Sequence, residues 1–218
     1  MNKYIDHTLL KPNSTKDEYI KVITEAKQNN FASACIPPSY VSLASELLNG
    51  SDVKVCTVIG FPLGYATTET KVFEAKTALK EGAQEIDMVV NISDVKSSQW
   101  EKVADEIRKI REVTNGFVLK VIFETAYLTK DEIVKLCQIS TNNKVDFVKT
   151  STGFANEGAT VENIRLMKEN ISAEVQIKAS GGVRSSQDAQ KMIEAGATRI
   201  GTSNGLQIIN NEDGKEVY

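Results

Sequence analysis

Histidine is all but missing from this chain: His7 is the single one in 218 residues. That excludes a histidine-rich metal centre and makes a Ser–His–Asp triad a poor fit, so acid–base chemistry has to run through Lys, Asp, Glu or Tyr. Cysteine is nearly as scarce. Cys35, Cys56 and Cys137 show no metal-ligand spacing, and an odd count suits a reducing cytosol. Cys35 in FASACI and Cys56 in VKVCTVIG lie in apolar strand patterns, and all three cysteines read as packing residues. No apolar run approaches ~18 residues, and the start, MNKYIDHTLLKP, lacks the apolar core of a signal peptide. A soluble, cytoplasmic protein with no membrane partner is the expectation. Positive charge is not in excess either. The net charge of −3 and pI near 5.4 give no field favouring nucleic acid.

What is present is a regular alternation. Short apolar strands are expected near 4–6, 31–36, 53–59, 84–90, 117–123, 144–149, 174–178 and 198–201. Amphipathic helical patterns separate them, at 15–29, 38–48, 67–81, 97–113, 129–141, 160–169, 185–195 and 204–210. TKDE at 15–18, TKDE at 129–132 and SSQD at 185–188 are helix-start signatures. No linker divides the chain. Eight strand–helix units predict an α/β protein, a single (β/α)8 TIM barrel over residues 1–218, with a short mobile tail at about 211–218. An open doubly wound sheet is the weaker alternative, because no G-x-G-x-x-G follows an early strand.

Three lysines recur at one interval: Lys120, Lys149 and Lys178 stand 29 residues apart on consecutive expected strands. In a barrel, chemistry sits at the C-terminal strand ends. Lys149 (VKTSTGF) and Lys178 (IKASGGVR) share K-x-S-x-G at that place, with small residues that leave room for a ligand. Lys120 is followed by Val-Ile-Phe and should lie deeper. A free lysine has a pKa of about 10.4, so roughly one in a few thousand is neutral at pH 7. A second ammonium and burial disfavour the charged form. Lowering the pKa by ~3 is worth about 4 kcal/mol and makes neutral amine plentiful, which an imine-forming enzyme needs. Asp87, inside EIDMVVN, must either point into a barrel or be paired. GGVR at 181–184 and GTSNG at 201–205 precede helical segments after the last two strands, where barrels often hold phosphate. Another phosphosugar enzyme, such as an isomerase or a different Schiff-base aldolase, and a non-catalytic sugar-phosphate sensor stay open on these residues alone.

EIDMVVN, VKTSTGF, IKASGGVR and TRIGTS, in this order, resemble the deoxyribose-phosphate aldolase family, class I aldolases on a (β/α)8 barrel. YIDHTLLKP, CTVIGFPLG and a terminal tyrosine extend the resemblance along the chain. The resemblance implies reversible cleavage of 2-deoxy-D-ribose 5-phosphate to acetaldehyde and D-glyceraldehyde 3-phosphate, within deoxynucleoside catabolism. It makes Lys149 the Schiff-base lysine, Lys178 the residue that perturbs it and shares in proton transfer, and Asp87 the acid–base carboxylate. Tyr218 is read as assisting proton exchange at C2. Asp6, Thr152, Gly153, Gly181, Gly182, Arg184, Gly201 and Ser203 are the implied substrate and phosphate contacts. No metal or organic cofactor is implied, the partner is a small phosphosugar, and a homodimer is left open. Two positions depart from the pattern. Phe154 stands where some members carry a phosphate-holding lysine, and Asn204 where some carry serine.

Overall fold

The computed structural model describes residues 1–212 of the chain. Eight parallel strands close into a barrel in chain order: β1 (Ile5–Thr8), β2 (Ser33–Ile36), β3 (Lys54–Ile59), β4 (Glu85–Val89), β5 (Val118–Ile122), β6 (Phe147–Lys149), β7 (Gln176–Ser180) and β8 (Arg199–Thr202). β8 closes the ring on β1, with Asp6 opposite Gly201. The helices are α1 (Lys16–Gln28), α2 (Val41–Leu48), α3 (Thr68–Lys80), α4 (Ile92–Lys96), α5 (Trp100–Val113), α6 (Lys130–Asn142), α7 (Val161–Asn170), α8 (Ser186–Ala195) and α9 (Gly205–Asn210). None among the described residues is long and apolar enough to cross a membrane.

Local chemistry accounts for these boundaries. Thr15, Thr129 and Ser185 each accept from the backbone N–H three residues on, and Glu18, Glu132 and Asp188 reach back to the cap, closing capping boxes at α1, α6 and α8. Along the strands side chains alternate between two faces. Ile86 and Met88 of β4, Leu119 and Val121 of β5, and Ile177 and Ala179 of β7 enter the apolar layer between barrel and helices. Their alternating neighbours Asp87, Lys120 and Lys178 turn into the lumen, where they contact one another. The hydrophobic core is therefore a shell around the barrel, and the lumen is left free for polar chemistry.

The expected elements are all present, with shifted edges. β1 begins at Ile5, because Asn2–Tyr4 forms a 3₁₀ turn. The segment expected as one helix at 38–48 is a 3₁₀ turn, Pro38–Tyr40, leading into α2. The pattern at 97–113 starts at Trp100, and the separate short helix α4, capped by Asn91, was not expected. β7 continues two residues beyond Lys178, since Ala179 and Ser180 pair with Ile200 and Gly201. The expected tail at 211–218 reaches past the described residues, and 213–218, Tyr218 included, lie outside them.

Candidate active site

Taking a charge out of water is costly unless it is paired. Barrel interiors are mostly filled by branched apolar side chains, but this one is not. Asp6 from β1, Glu85 and Asp87 from β4, Lys120, Lys149 and Lys178 from β5, β6 and β7, and Arg199 from β8 all meet in the lumen. Among the described residues, these make four cations against three carboxylates.

They are stacked by register. At the lower level Arg199 Nη1 donates to Asp6 Oδ1 at 2.7 Å and Glu85 Oε2 at 3.0 Å, and its guanidinium covers the Phe147 ring. Lys120 Nζ bridges upward, 2.6 Å from Glu85 Oε2 and 2.8 Å from Asp87 Oδ1. The other oxygen of Asp87, Oδ2, accepts from both Lys149 and Lys178 at 2.8 Å. Lys178 also lies 2.6 Å from Asp6 Oδ2. Lys149 and Lys178 are direct partners across β6 and β7, whereas Lys120 is level with Phe147, two residues below Lys149. The three lysines do share one lumen, and Lys120 is the deep one.

The electrostatics follow from this packing. Burial pushes the Asp87 carboxyl up, but Lys120, Lys149 and Lys178 outweigh it and hold the group well below the usual carboxylate range. Asp6 behaves alike: burial raises it, and Lys178, Arg199 and Lys120 bring it below its ordinary value. Burial disfavours the charge on Lys178, yet Asp6 and Asp87 carry it above the usual lysine range. Lys120 is raised the same way against burial, mainly by Asp87. Asp6 and Asp87 thus favour the charged form of Lys178, which stands beside Lys149. Two sets of side chains, Cys35–Cys56–Asp87 and Asp6–Cys56–Glu85, have their ligand atoms within 4.8 Å and could in principle grip a cation. Asp87 and Glu85 already accept from ammonium groups, which an ion would have to displace.

Above the lysines opens a cavity of about 620 Å³, lined by Gly153, Phe154, Gly181, Gly182, Arg184 and Ser203 among others. Gly181 and Gly182 have φ of +80° and +76°, where a side chain would be strained, and a Cβ on Gly181 would also stand 2.9 Å from Gly158 Cα. Gly201 lines the same cavity from within β8, and it leaves the space that Lys178 fills: a Cβ there would meet Lys178 Cε at 2.9 Å. Phe154 meets Phe61 edge to face at 5.4 Å.

Two residues expected at the substrate lie outside the cavity lining. Asp6 does not line the cleft: it is fully buried beneath Lys178, with its oxygens turned to Lys178 and Arg199. Thr152 is not in the cavity lining, and its hydroxyl is engaged by the Glu124 carboxylate and the Phe154 N–H. The sequence reading also missed Glu85, Arg199 and Glu124. The available signals were a charged residue inside the apolar runs QEIDMVV and TRIG, and an acid directly after FVLKVIF.

Comparison with known proteins agrees with this geometry. Residues 1–211 match the family model described as DeoC/LacD family aldolase. A deoxyribose-phosphate aldolase of Streptococcus uberis is 51% identical over 218 residues, covering 100% of this chain and 99% of that protein. One from Clostridioides difficile is 54% identical over 211 residues, covering 97% and 96%. The solved structure of a deoxyribose phosphate aldolase from Aeropyrum pernix, described as a unique tetramer, superposes with a TM-score of 0.89 at 35% identity, covering 96% of this chain and 89% of that one. With a matching family model over nearly its whole length and relatives above half identity, this chain belongs to the DeoC/LacD family of aldolases.

Proposed function

We propose that this aldolase reversibly cleaves 2-deoxy-D-ribose 5-phosphate to acetaldehyde and D-glyceraldehyde 3-phosphate through a Schiff base on Lys149, in the cytoplasm and in the service of deoxynucleoside catabolism. The observation that carries the reading is the shared oxygen: Lys149 and Lys178 both donate to Asp87 Oδ2 at 2.8 Å, beneath a glycine-lined cavity. Sequence relatives bearing the name deoxyribose-phosphate aldolase support the choice of sugar.

In this reading Lys149 Nζ attacks C1 of the open-chain sugar, and loss of water leaves a protonated imine. A base removes the C3 hydroxyl proton, the C2–C3 bond breaks, and its electron pair is held as an enamine while glyceraldehyde 3-phosphate departs. Protonation at C2 and hydrolysis of the imine release acetaldehyde and restore the amine. Asp87 and Lys178 handle these protons, a role typically worth 10²–10⁴-fold. The phosphate takes the cavity between Gly153, Gly181, Gly182, Arg184, Gly201 and Ser203. Tyr218, outside the described residues, is assigned proton exchange at C2, and Tyr218→Phe should slow that exchange without weakening substrate binding.

Borohydride reduction in the presence of substrate, followed by peptide mapping, tests the reading directly. A stable adduct on Lys149 is expected. Trapping on Lys178 or Lys120 would reassign the nucleophile, and absence of any adduct would favour a sugar-phosphate isomerase or sensor.

A further inference from the structure

Glu124 directly follows β5 and adopts φ 57°, ψ 64°, a left-handed conformation that non-glycine residues avoid. Of the five described non-glycine residues with positive φ, it alone is buried; Asn30, Ser98, Lys144 and Asn211 are exposed. A strained buried backbone persists only where its surroundings over-determine it, and such places cluster at functional sites.

The surroundings here are specific. Phe123 N–H donates to Lys149 O and Thr125 N–H to Thr150 O, both at 2.9 Å, so the chain on either side of Glu124 is fastened to the end of β6. Between these two bonds the Glu124 side chain reaches further along. Its oxygens accept from Thr152 N–H at 3.2 and 3.3 Å and also from the Thr152 hydroxyl. That hydroxyl in turn accepts from Phe154 N–H at 3.0 Å. The relay starts beside the lysine strand and ends at Gly153 and Phe154, which wall the cavity. A carboxylate accepting N–H and O–H donors holds them more strongly than a neutral group would. Burial pushes the Glu124 carboxyl above its ordinary value, while Thr152 and the nearby Lys149 draw it back.

We infer that Glu124 is a positioning residue: it clamps residues 150–154 through Thr152 and so sets the phosphate-side wall of the cleft. This rests on the proposed placement of phosphate in the glycine-lined cavity. Glu124 does not touch the reacting atoms; its effect is on where Gly153 and Phe154 stand relative to Lys149.

Two readouts test it in Glu124→Ala and Glu124→Gln. Amide hydrogen exchange of the 150–154 segment should quicken by about 10-fold or more in the alanine variant, with β5 and β7 at the parent rate. KM for deoxyribose 5-phosphate should rise about 10-fold, KM for unphosphorylated deoxyribose by less than about 2-fold, and the glutamine variant should recover most of the loss. Parent-like exchange in Glu124→Ala, or equal losses on both sugars, would overturn the inference. Should the parent itself not distinguish the two sugars, the phosphate reading fails, and the exchange measurement still decides the clamp. If the alanine variant does not fold, Thr152→Val cuts the relay one step later and must reproduce the split; a parent-like Thr152→Val would sink the idea.

Discussion

Lys149 and Lys178 stand level on adjacent strands and donate to the same oxygen, Asp87 Oδ2, each at 2.8 Å. Their remaining surroundings differ. Lys178 has a second carboxylate, Asp6, at 2.6 Å, and is completely enclosed. Lys149 has, among the described residues, Asp87 as its one ion-paired carboxylate, and it lies four residues before Gly153, which lines the cavity. With four cations and three carboxylates in the lumen among the described residues, each carboxylate keeps a cation if Lys149 turns away from Asp87 toward a carbonyl, as the proposed mechanism requires. Lys178 is thus the more tightly paired of the two lysines.

Lys178→Leu should therefore separate binding from proton transfer. The adduct on Lys149 should still be trapped by borohydride, while kcat falls by about 10²–10⁴-fold. Steady-state rates beside the trapping yield check this; near-parent turnover would remove Lys178 from the mechanism.

Asp6→Asn should act on stability in a pH-dependent way. The folded-state pKa of Asp6 lies below its ordinary value, so its contribution is present above about pH 4 and is lost as pH falls through the lowered value. Removing one partner of a buried ion pair typically costs about 3–5 kcal/mol. The variant should melt well below the parent at pH 5–9, and the gap should narrow as both are titrated below about pH 4. A gap that stays constant into acid would show that the charge on Asp6 is not what matters.

Gly201→Ala should impair turnover through Lys178. The added methyl would stand 2.9 Å from both Lys178 Cε and Ser180 Cβ, so one of them has to shift. Displacing a reacting group by about 1 Å can cost 10²-fold, so kcat should drop by that order, with about 1–3 kcal/mol lost in stability. Kinetics and melting of the purified variant decide it.

Phe154→Lys should strengthen recognition of phosphate. Phe154 is 41% exposed on the cavity wall, so an ammonium there would remain solvated and face the same space. KM for deoxyribose 5-phosphate is expected to fall several-fold, by roughly 1 kcal/mol, with KM for deoxyribose nearly unchanged. Equal effects on both sugars would place the phosphate elsewhere.

Much of this architecture was readable from the residues, because apolar runs and capping boxes are local signals. Depth in the lumen was readable in part. Val121, Ile122 and Phe123 after Lys120 indicate a strand that continues, and Lys120 does sit low. The equal 29-residue intervals conceal an unequal result: the first interval climbs two residues up the barrel, and the next pairs Lys149 level with Lys178. Register depends on where each strand meets its neighbour, and no single segment encodes that. Small residues after Lys178 looked like a strand end, but Ala179 and Ser180 keep pairing because β8 offers partners there. The partners of Asp6 and Thr152 were not readable for the same reason. Whether a polar side chain faces ligand or a buried partner is decided by residues far away in sequence, Arg199 for Asp6 and Glu124 for Thr152.

The closed ring has a consequence for where this enzyme can be slow. Each strand bearing a lumen charge is hydrogen-bonded to neighbours on both sides, so the backbone that carries those charges is held in place. If the proposed imine forms there, the field around it is largely oriented before substrate arrives, and little reorganisation accompanies the chemical step. Entry and release fall instead to the turns at 153–158 and 181–184 that line the cavity. Solvent viscosity and turn sequence should then govern how quickly products leave, and strand residues how quickly the carbon–carbon bond breaks.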